Sequence, residues 1–384
     1  MNVMKRAINN EYNLLFLLIL FAIGISSCNK KEDIDPLEEY AEHMTLVYIS
    51  ANNDLRSEAI KSINLLQKGF TKEVGGKLLI YAKMSPNVSY MLAIKPNIGG
   101  NLTLDTLKIY NNTNSADPHF LKQVIHESRQ LAPAKSYSLV LWSHASSWQP
   151  PQNLSVTTKS FGVDSGVEMD IKDLSSALPE DFDFLMFDAC SMASIEVCFQ
   201  LKSKARYILA SPSEVLSTGF PYETISNDFF LGSTGLQSIA QKFIDYYRKQ
   251  PGIRSSATIS LIKTDLLDDV ALQTAKLLSN KPPVPDYNKS DIQKLNFDPK
   301  TEISAYDFIS FLSHNYHQLD YIDLKESISN AVVFSASTDS FFGNPIEDFC
   351  GLSVYLPESG DVLKPYYASL AWSQQTGWDK LFTD

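Results

Sequence analysis

Phe182-Asp-Phe-Leu-Met-Phe-Asp-Ala-Cys190-Ser-Met-Ala-Ser-Ile-Glu-Val-Cys198 is the stretch that decides how the chain is read. Residues 183–187 form a short, nearly continuous apolar run, the pattern of a strand buried on both faces of a parallel sheet. From Ser191 onward, the spacing of Met192, Ile195 and Phe199 predicts a helix with one apolar face. Asp188, Ala189 and Cys190 then stand at a strand-to-helix junction. Ligands bind at the carboxyl ends of strands in open α/β sheets, and a thiol at a helix N-terminus feels the positive end of the dipole, which favours thiolate. Cys190 is thus a candidate nucleophile. The competing reading is plain: free Cys is among the most buried residue types and commonly acts as a small hydrophobe.

A second run changes that balance. Ser136-Tyr-Ser-Leu-Val-Leu-Trp-Ser143 is β-branched, aromatic and apolar, and it ends in His144 followed by the small residues Ala145, Ser146 and Ser147. Two strands of one sheet would deliver His144 and Cys190 at equivalent ends, 46 residues apart and in the order His then Cys. Caspase-type enzymes show that order and roughly that separation, about 50 residues. A Cys–His pair within hydrogen-bond reach can form a thiolate–imidazolium nucleophile at neutral pH.

His144-Ala-Ser-Ser-Trp148, Phe161-Gly-Val-Asp164 and Phe187-Asp-Ala-Cys190-Ser-Met192 resemble the clostripain family of cysteine peptidases, relatives of caspases, legumain and gingipains. Further elements look similar: Ala51-Asn-Asn-Asp-Leu55, Ala210-Ser-Pro-Ser-Glu214 with Gly219-Phe-Pro-Tyr222, Ala305-Tyr-Asp-Phe308, and Gly351-Leu-Ser-Val-Tyr-Leu-Pro357. The resemblance runs from Met44 to the end. It implies a caspase-like three-layer α/β/α sandwich around a mostly parallel sheet. It also implies a cysteine endopeptidase in which Cys190 attacks the scissile carbonyl and His144 donates a proton to the leaving amine. By the same resemblance, backbone N–H groups of Ala145 and Cys190 would stabilise the oxyanion. Asp188 would line the pocket for the substrate residue before the cut, implying Lys or Arg there; its alternative role is to cap the following helix.

The family is commonly matured by cutting at a basic residue between the His and Cys strands. Lys159 is the only Lys or Arg from Gln149 to Asp170, in a polar, Pro-containing loop expected to be exposed; the alternative is a solvated loop charge. One departure stands out. The family pattern after the His is His-Gly-x-Gly-Trp, whereas Ala145 and Ser147 replace both glycines here; at φ > 0 an added Cβ would strain the oxyanion hole. That departure leaves an alternative of another class, a catalytically silent binding or scaffold lipoprotein.

Lys5 and Arg6 precede the apolar run of residues 14–22, which is too short to span a bilayer, so residues 1–27 read as a signal peptide. Ile25-Ser-Ser-Cys28 resembles a bacterial lipoprotein cleavage box, with Cys28 as the lipid-bearing first residue; the alternative is an ordinary signal peptide with an incidental Cys. Residues 28–43 read as a flexible tether, and their acidic tract resembles those that send Bacteroidetes-type lipoproteins to the outer surface. The expected address is the outer membrane or cell surface of a Gram-negative bacterium, with membrane contact only through the lipid anchor.

Beyond the tether, 44% hydrophobic and 20% charged residues are globular values. A peptidase domain over residues 44–280 and a smaller C-terminal α/β support region over 281–384 are expected, joined by a Pro-rich linker at 281–286. Inside the first, strands at residues 45–50, 77–82, 205–210 and 257–262 alternate with helices, the last of them read as the final core strand. Residues 91–96 and 102–110 read as a hairpin or edge extension.

Losing Lys5, Arg6 and Glu11 with the signal moves the formal charge from −11 to −12, which argues against nucleic acid and suits basic peptides. Cys190, Cys198 and Cys350 are an odd set without short spacing, so no disulfide framework is expected. His314 and His317 could share one helix turn but lack partners for zinc, and no metal site is expected. No cofactor is expected either, and the sequence gives no basis for a calcium requirement.

Overall fold

The structure, a computed structural model, describes residues 40–71, 75–96, 101–150, 161–281, 288–299, 305–357 and 360–381. Cys28, Lys159 and most of the expected 281–286 linker lie outside the described residues. The chain begins with β1 (Ala41–Ser50), α1 (Arg56–Gly69), β2 (Gly76–Lys83), β3 (Val88–Pro96), β4 (Leu102–Asn111), α2 (Pro118–Leu131) and β5 (Ala134–Trp142). A small hairpin, β6 (Phe161–Asp164) and β7 (Val167–Met169), leads to α3 (Ile171–Ala177), β8 (Phe182–Asp188), α4 (Ile195–Leu201) and β9 (Ala205–Ala210). Then come α5 (Tyr222–Ile225), α6 (Gly232–Arg248), β10 (Thr258–Lys263) and α7 (Leu267–Asn280). The last part holds β11 (Tyr306–Asp307), α8 (Phe308–Asn315), α9 (Gln318–Ala331), β12 (Val332–Ser337), β13 (Ser340–Phe341), β14 (Asn344–Pro345), β15 (Ser353–Val354), α10 (Lys364–Tyr367) and α11 (Ala371–Thr376).

Nine strands make one sheet in the order β12-β10-β9-β8-β5-β1-β2-β3-β4. Its centre, β9 to β2, is parallel, and antiparallel strands flank it on both sides: the β3–β4 hairpin at one edge, β10 and β12 at the other. The middles of the central strands are mostly apolar because both faces are covered. Val47, Ile49, Ile80, Val140 and Met186 pack with residues of α1 and α6 such as Ile63, Leu66, Ile239 and Phe243. Alternate residues, among them Leu46, Leu139, Leu185 and Phe187, are fully buried on the opposite face.

Three expectations about elements change. Residues 257–262 are not the last strand, since β12 pairs antiparallel outside β10, so the region after residue 281 supplies the sheet's edge. A strand is expected around residues 331–334, and β12 stands there; what the sequence does not show is that it joins the main sheet, because as an edge strand its residues alternate between half-buried and exposed. The helix after Cys190 starts at Ile195, with Ser194 as N-cap accepting from the Val197 amide at 3.3 Å. Cys190 and Ser191 form a turn, with Ser191 at φ +60°, and three residues outside any helix follow before α4, so Cys190 is not at a helix N-terminus and gains nothing from the dipole. Likewise His314 lies in the last turn of α8 while His317 caps α9, so the two do not share a helix turn.

Candidate active site

The parallel register of β5 and β8 aligns Trp142 with Asp188, so His144 and Cys190 each follow two residues beyond a matched pair at the carboxyl end of the sheet. Both line one cavity of about 250 Å³, together with Asp188, Glu214, Asp298 and Phe342. Adjacent parallel strands leaving the sheet at the same level are what bring a base and a thiol to one spot.

The His144 segment is held from three sides. Ser143 Oγ donates to Ser50 O at 2.6 Å, and Gly162 N donates to His144 O at 2.9 Å, pairing the segment with β6. Asn53 Nδ2 donates to Val163 O at 2.9 Å, and Asn52 Nδ2 to Asp164 Oδ1 at 2.6 Å. Asp164 also accepts from the amide and hydroxyl of Ser115 at 2.7 and 3.0 Å. The motifs around Asn52 and Phe161 are therefore scaffolding for the histidine. The ring itself, partly exposed, sits with Nε2 2.7 Å from Asp54 Oδ1.

Of the two positions where glycine is the family pattern, only Ser147 takes a left-handed conformation, at φ +66°. Its hydroxyl donates to Ser194 Oγ at 2.8 Å, which links the histidine segment to the cap of α4. Left-handed backbone costs a non-glycine about 1–2 kcal/mol, and one buried hydrogen bond returns about 1 kcal/mol, so the two effects nearly cancel. Ala145 avoids positive φ, pairs with Phe161 as an isolated bridge, and spares its N–H: neither Ala145 N nor Cys190 N donates to a backbone carbonyl among the described residues. Gln149, expected in an exposed loop, is buried, and so is Trp148. Trp148 packs edge-on to Tyr355 and Tyr367 at 4.9 and 4.8 Å between ring centroids.

Cys190 is half-buried, and its sulfur accepts from Val215 N at 3.3 Å. Burial pushes the thiol up to about 12, the Val215 amide opposes this, and the carboxylates of Glu214, Asp188 and Asp298 add to it. At rest the group is a neutral thiol. Cys198, on α4, is fully buried with its sulfur near Met192 O, as core packing requires.

Asp188 is buried and does not cap α4, which has Ser194 for that purpose. Its Oδ2 accepts from Tyr222 Oη at 2.9 Å and from Phe220 N at 3.3 Å. Gly219 lies against it at φ +65°, where a Cβ would stand 2.6 Å from Oδ2, so any side chain there would collide with the carboxylate. Burial raises the Asp188 carboxyl to about 6, partly offset by the hydrogen bonds from Tyr222 and Phe220. A buried carboxylate beside a thiol, with both of those close hydrogen bonds on one oxygen, has capacity left for a cation. The described residues hold no group of three or more His, Cys, Asp or Glu side chains arranged to bind a metal ion.

In the sequence Glu214 stands only as part of a motif, and Asp298 and Phe342 carry no signal at all. Glu214 Oε1 accepts from Phe297 N and Asp298 N at 2.9 and 2.8 Å, which ties the later part of the chain to the cavity. Glu196, fully buried in α4, does the same elsewhere: Oε1 accepts from Tyr355 N and Tyr367 Oη at 2.9 and 2.8 Å, and burial raises its carboxyl.

Residues 47–384 match the model of the clostripain family. A secreted C11 cysteine protease from Bacteroides thetaiotaomicron, solved with an irreversible peptide inhibitor, is 27% identical with a TM-score of 0.78, over 88% of this chain and 100% of that one. An inactive zymogen C11 protease from Parabacteroides distasonis is 29% identical with a TM-score of 0.78, over 88% and 99% of the two chains. Clostripain from Hathewaya histolytica is 22% identical over 427 residues, 88% of this chain and 79% of the relative. Among the described residues no helix is long and apolar enough to cross a membrane. A match over nearly the whole chain and the caspase-like α/β architecture agree: the chain belongs to the clostripain family of cysteine proteases.

Proposed function

We propose that the protein is a surface-anchored cysteine endopeptidase that cuts after Lys or Arg, with Cys190 as nucleophile and His144 as general acid–base. The observation that carries this reading is the register of β5 and β8, by which both side chains line one cavity with the buried Asp188. The N–H groups of Ala145 and Cys190, which no backbone carbonyl engages among the described residues, are the oxyanion donors. As Sγ bonds to the scissile carbonyl carbon, its proton passes to His144, which returns it to the amine as the C–N bond breaks. Water then hydrolyses the thioester.

A Lys or Arg side chain pairing with Asp188 also removes one of the charges that keep the thiol neutral. Substrate binding and nucleophile activation are thereby coupled in one cavity. The anchor is Cys28 with the tether behind it, and Lys159 is the maturation site. Cys190→Ala and His144→Ala are each expected to abolish cleavage of a Lys/Arg fluorogenic peptide while leaving the fold intact, whereas Cys198→Ala retains activity. Equal loss from Cys198→Ala sinks the assignment. Covalent labelling of Cys190 by a Lys- or Arg-directed electrophile separates this reading from the silent scaffold, which the high thiol and the strained Ser147 would otherwise favour.

A further inference from the structure

The wall of the Cys190 cavity built by the later part of the chain is more specific than a support requires. The β13–β14 hairpin pairs Phe341 with Asn344 around a two-residue tip, Phe342 and Gly343, at φ +49° and +83°. Such tips favour Asn-Gly, and a bulky aromatic at the first position is costly. Phe342 is nevertheless 37% exposed at that tip and lines the cavity, with its amide donating to Ser256 Oγ at 2.8 Å. Beneath it, Phe341 is fully buried and stacks on Phe297 at 4.8 Å and 9°. The amides of Phe297 and Asp298 are both held by Glu214, which fixes Asp298 at the same cavity.

We infer that Asp298 and Phe342 form a second specificity element, one that takes a basic residue adjacent in the substrate to the Lys or Arg bound by Asp188. It rests on the reading of Asp188 given above and extends it. The chemistry of the wall selects the ligand: a carboxylate favours a cation, and an exposed aromatic face stabilises the same cation through its quadrupole, most strongly for a planar guanidinium. A neutral apolar neighbour would use Phe342 alone and gain nothing from the carboxylate. An acidic neighbour would meet Asp188, Glu214 and Asp298 as like charges. The preferred substrates are therefore proteins with paired basic residues.

Internally quenched peptides with one Arg, and with Ala, Arg or Glu next to it on either side, test this when products are assigned by mass. The wild-type chain is expected to cut one of the two paired-Arg series about tenfold faster in kcat/KM than its Arg-Ala counterpart, and the Glu series more slowly. In Asp298→Asn and in Phe342→Ala the ratio of paired to single Arg falls toward one, and added salt erodes it in the wild type. A wild-type ratio of one on both sides, with single-Arg peptides still cut, overturns this inference alone. A ratio that survives in both variants overturns it equally. If no single-Arg peptide is cut, the Asp188 reading fails and takes this one with it.

Discussion

Replacing Asp188 by Asn should make the protein more stable and less useful, in a way that pH exposes. The Asp188 carboxyl is buried and raised from its ordinary 3.8 to about 6, which corresponds to about 3 kcal/mol of penalty for holding the charge in the folded, empty cavity. Well below pH 3.8 the carboxyl is protonated in both folded and unfolded chains, and the penalty vanishes. Between pH 4 and 6 the folded state binds more protons than the unfolded one, so stability falls as pH rises; above 6 the loss is complete and constant.

The substituted amide would keep the acceptor that Tyr222 and Phe220 use, at a cost of about 1 kcal/mol for its imperfectly paired NH₂ group. Urea unfolding of both proteins at pH 4 and pH 7.5 gives the measurement, because the other buried acids, Glu196, Glu214 and Asp307, are common to both and cancel. The stability of Asp188→Asn relative to wild type should rise by about 3 kcal/mol across that interval, while cleavage after Lys or Arg collapses. A difference that does not change with pH refutes the reasoning. So does a wild type that prefers to cut after an acidic residue.

Three further outcomes follow from the site. Ser147→Ala keeps the left-handed strain but loses the bond to Ser194, whereas Ser147→Gly sheds both, so the Gly variant should be about 1 kcal/mol the more stable in urea unfolding; equal stabilities would contradict the strain argument. The His144–Asp54 pair is exposed on the Asp54 side and worth about 1 kcal/mol or less, so Asp54→Asn should change kcat/KM by under about tenfold, and a hundredfold loss would make Asp54 part of the chemistry. If the chain matures itself after Lys159, incubated protein acquires a new N-terminus at Ser160, read by mass spectrometry, that is absent in Cys190→Ala; an intact but active wild type shows that no such cut is needed.

The pair His144 and Cys190 is readable because the strands before them end in the apolar runs 139–142 and 184–187, as strands buried on both faces do, and because parallel strands end level. The neighbourhood of Cys190 is not. Met192, Ile195 and Phe199 have helical spacing, yet Met192 is buried outside the helix, and only the cap at Ser194 marks where the helix starts; periodicity counts apolar residues and does not see caps. The strand β12 is legible as a strand around residues 331–334, but its place at the edge of the main sheet is not, since its alternating burial gives no sign of which sheet it joins. Glu214, Asp298 and Phe342 meet only through folding, across 84 residues or more from Glu214. Asp188 is legible as a site residue, but its cap role stays open until Tyr222, Phe220 and Gly219 are seen to close around it.

The aromatic packing of Trp148 against Tyr355 and Tyr367, and the grip of Glu196 on the same two tyrosines, set an order of assembly. A ribosome releases His144 and Cys190 well before residues 332–367, which contribute the sheet's edge strand and the partners of Trp148. Losing those partners leaves a large indole without its cage, a deficit of about 3–5 kcal/mol by the cost of removing such a ring from a core. A nascent chain therefore carries both reactive side chains but no settled segment on which to hold the histidine. The cage of Trp148 thus makes the segment that carries His144 depend on residues 207 and 219 positions further along the chain, so the two halves of the fold must close together before that segment settles.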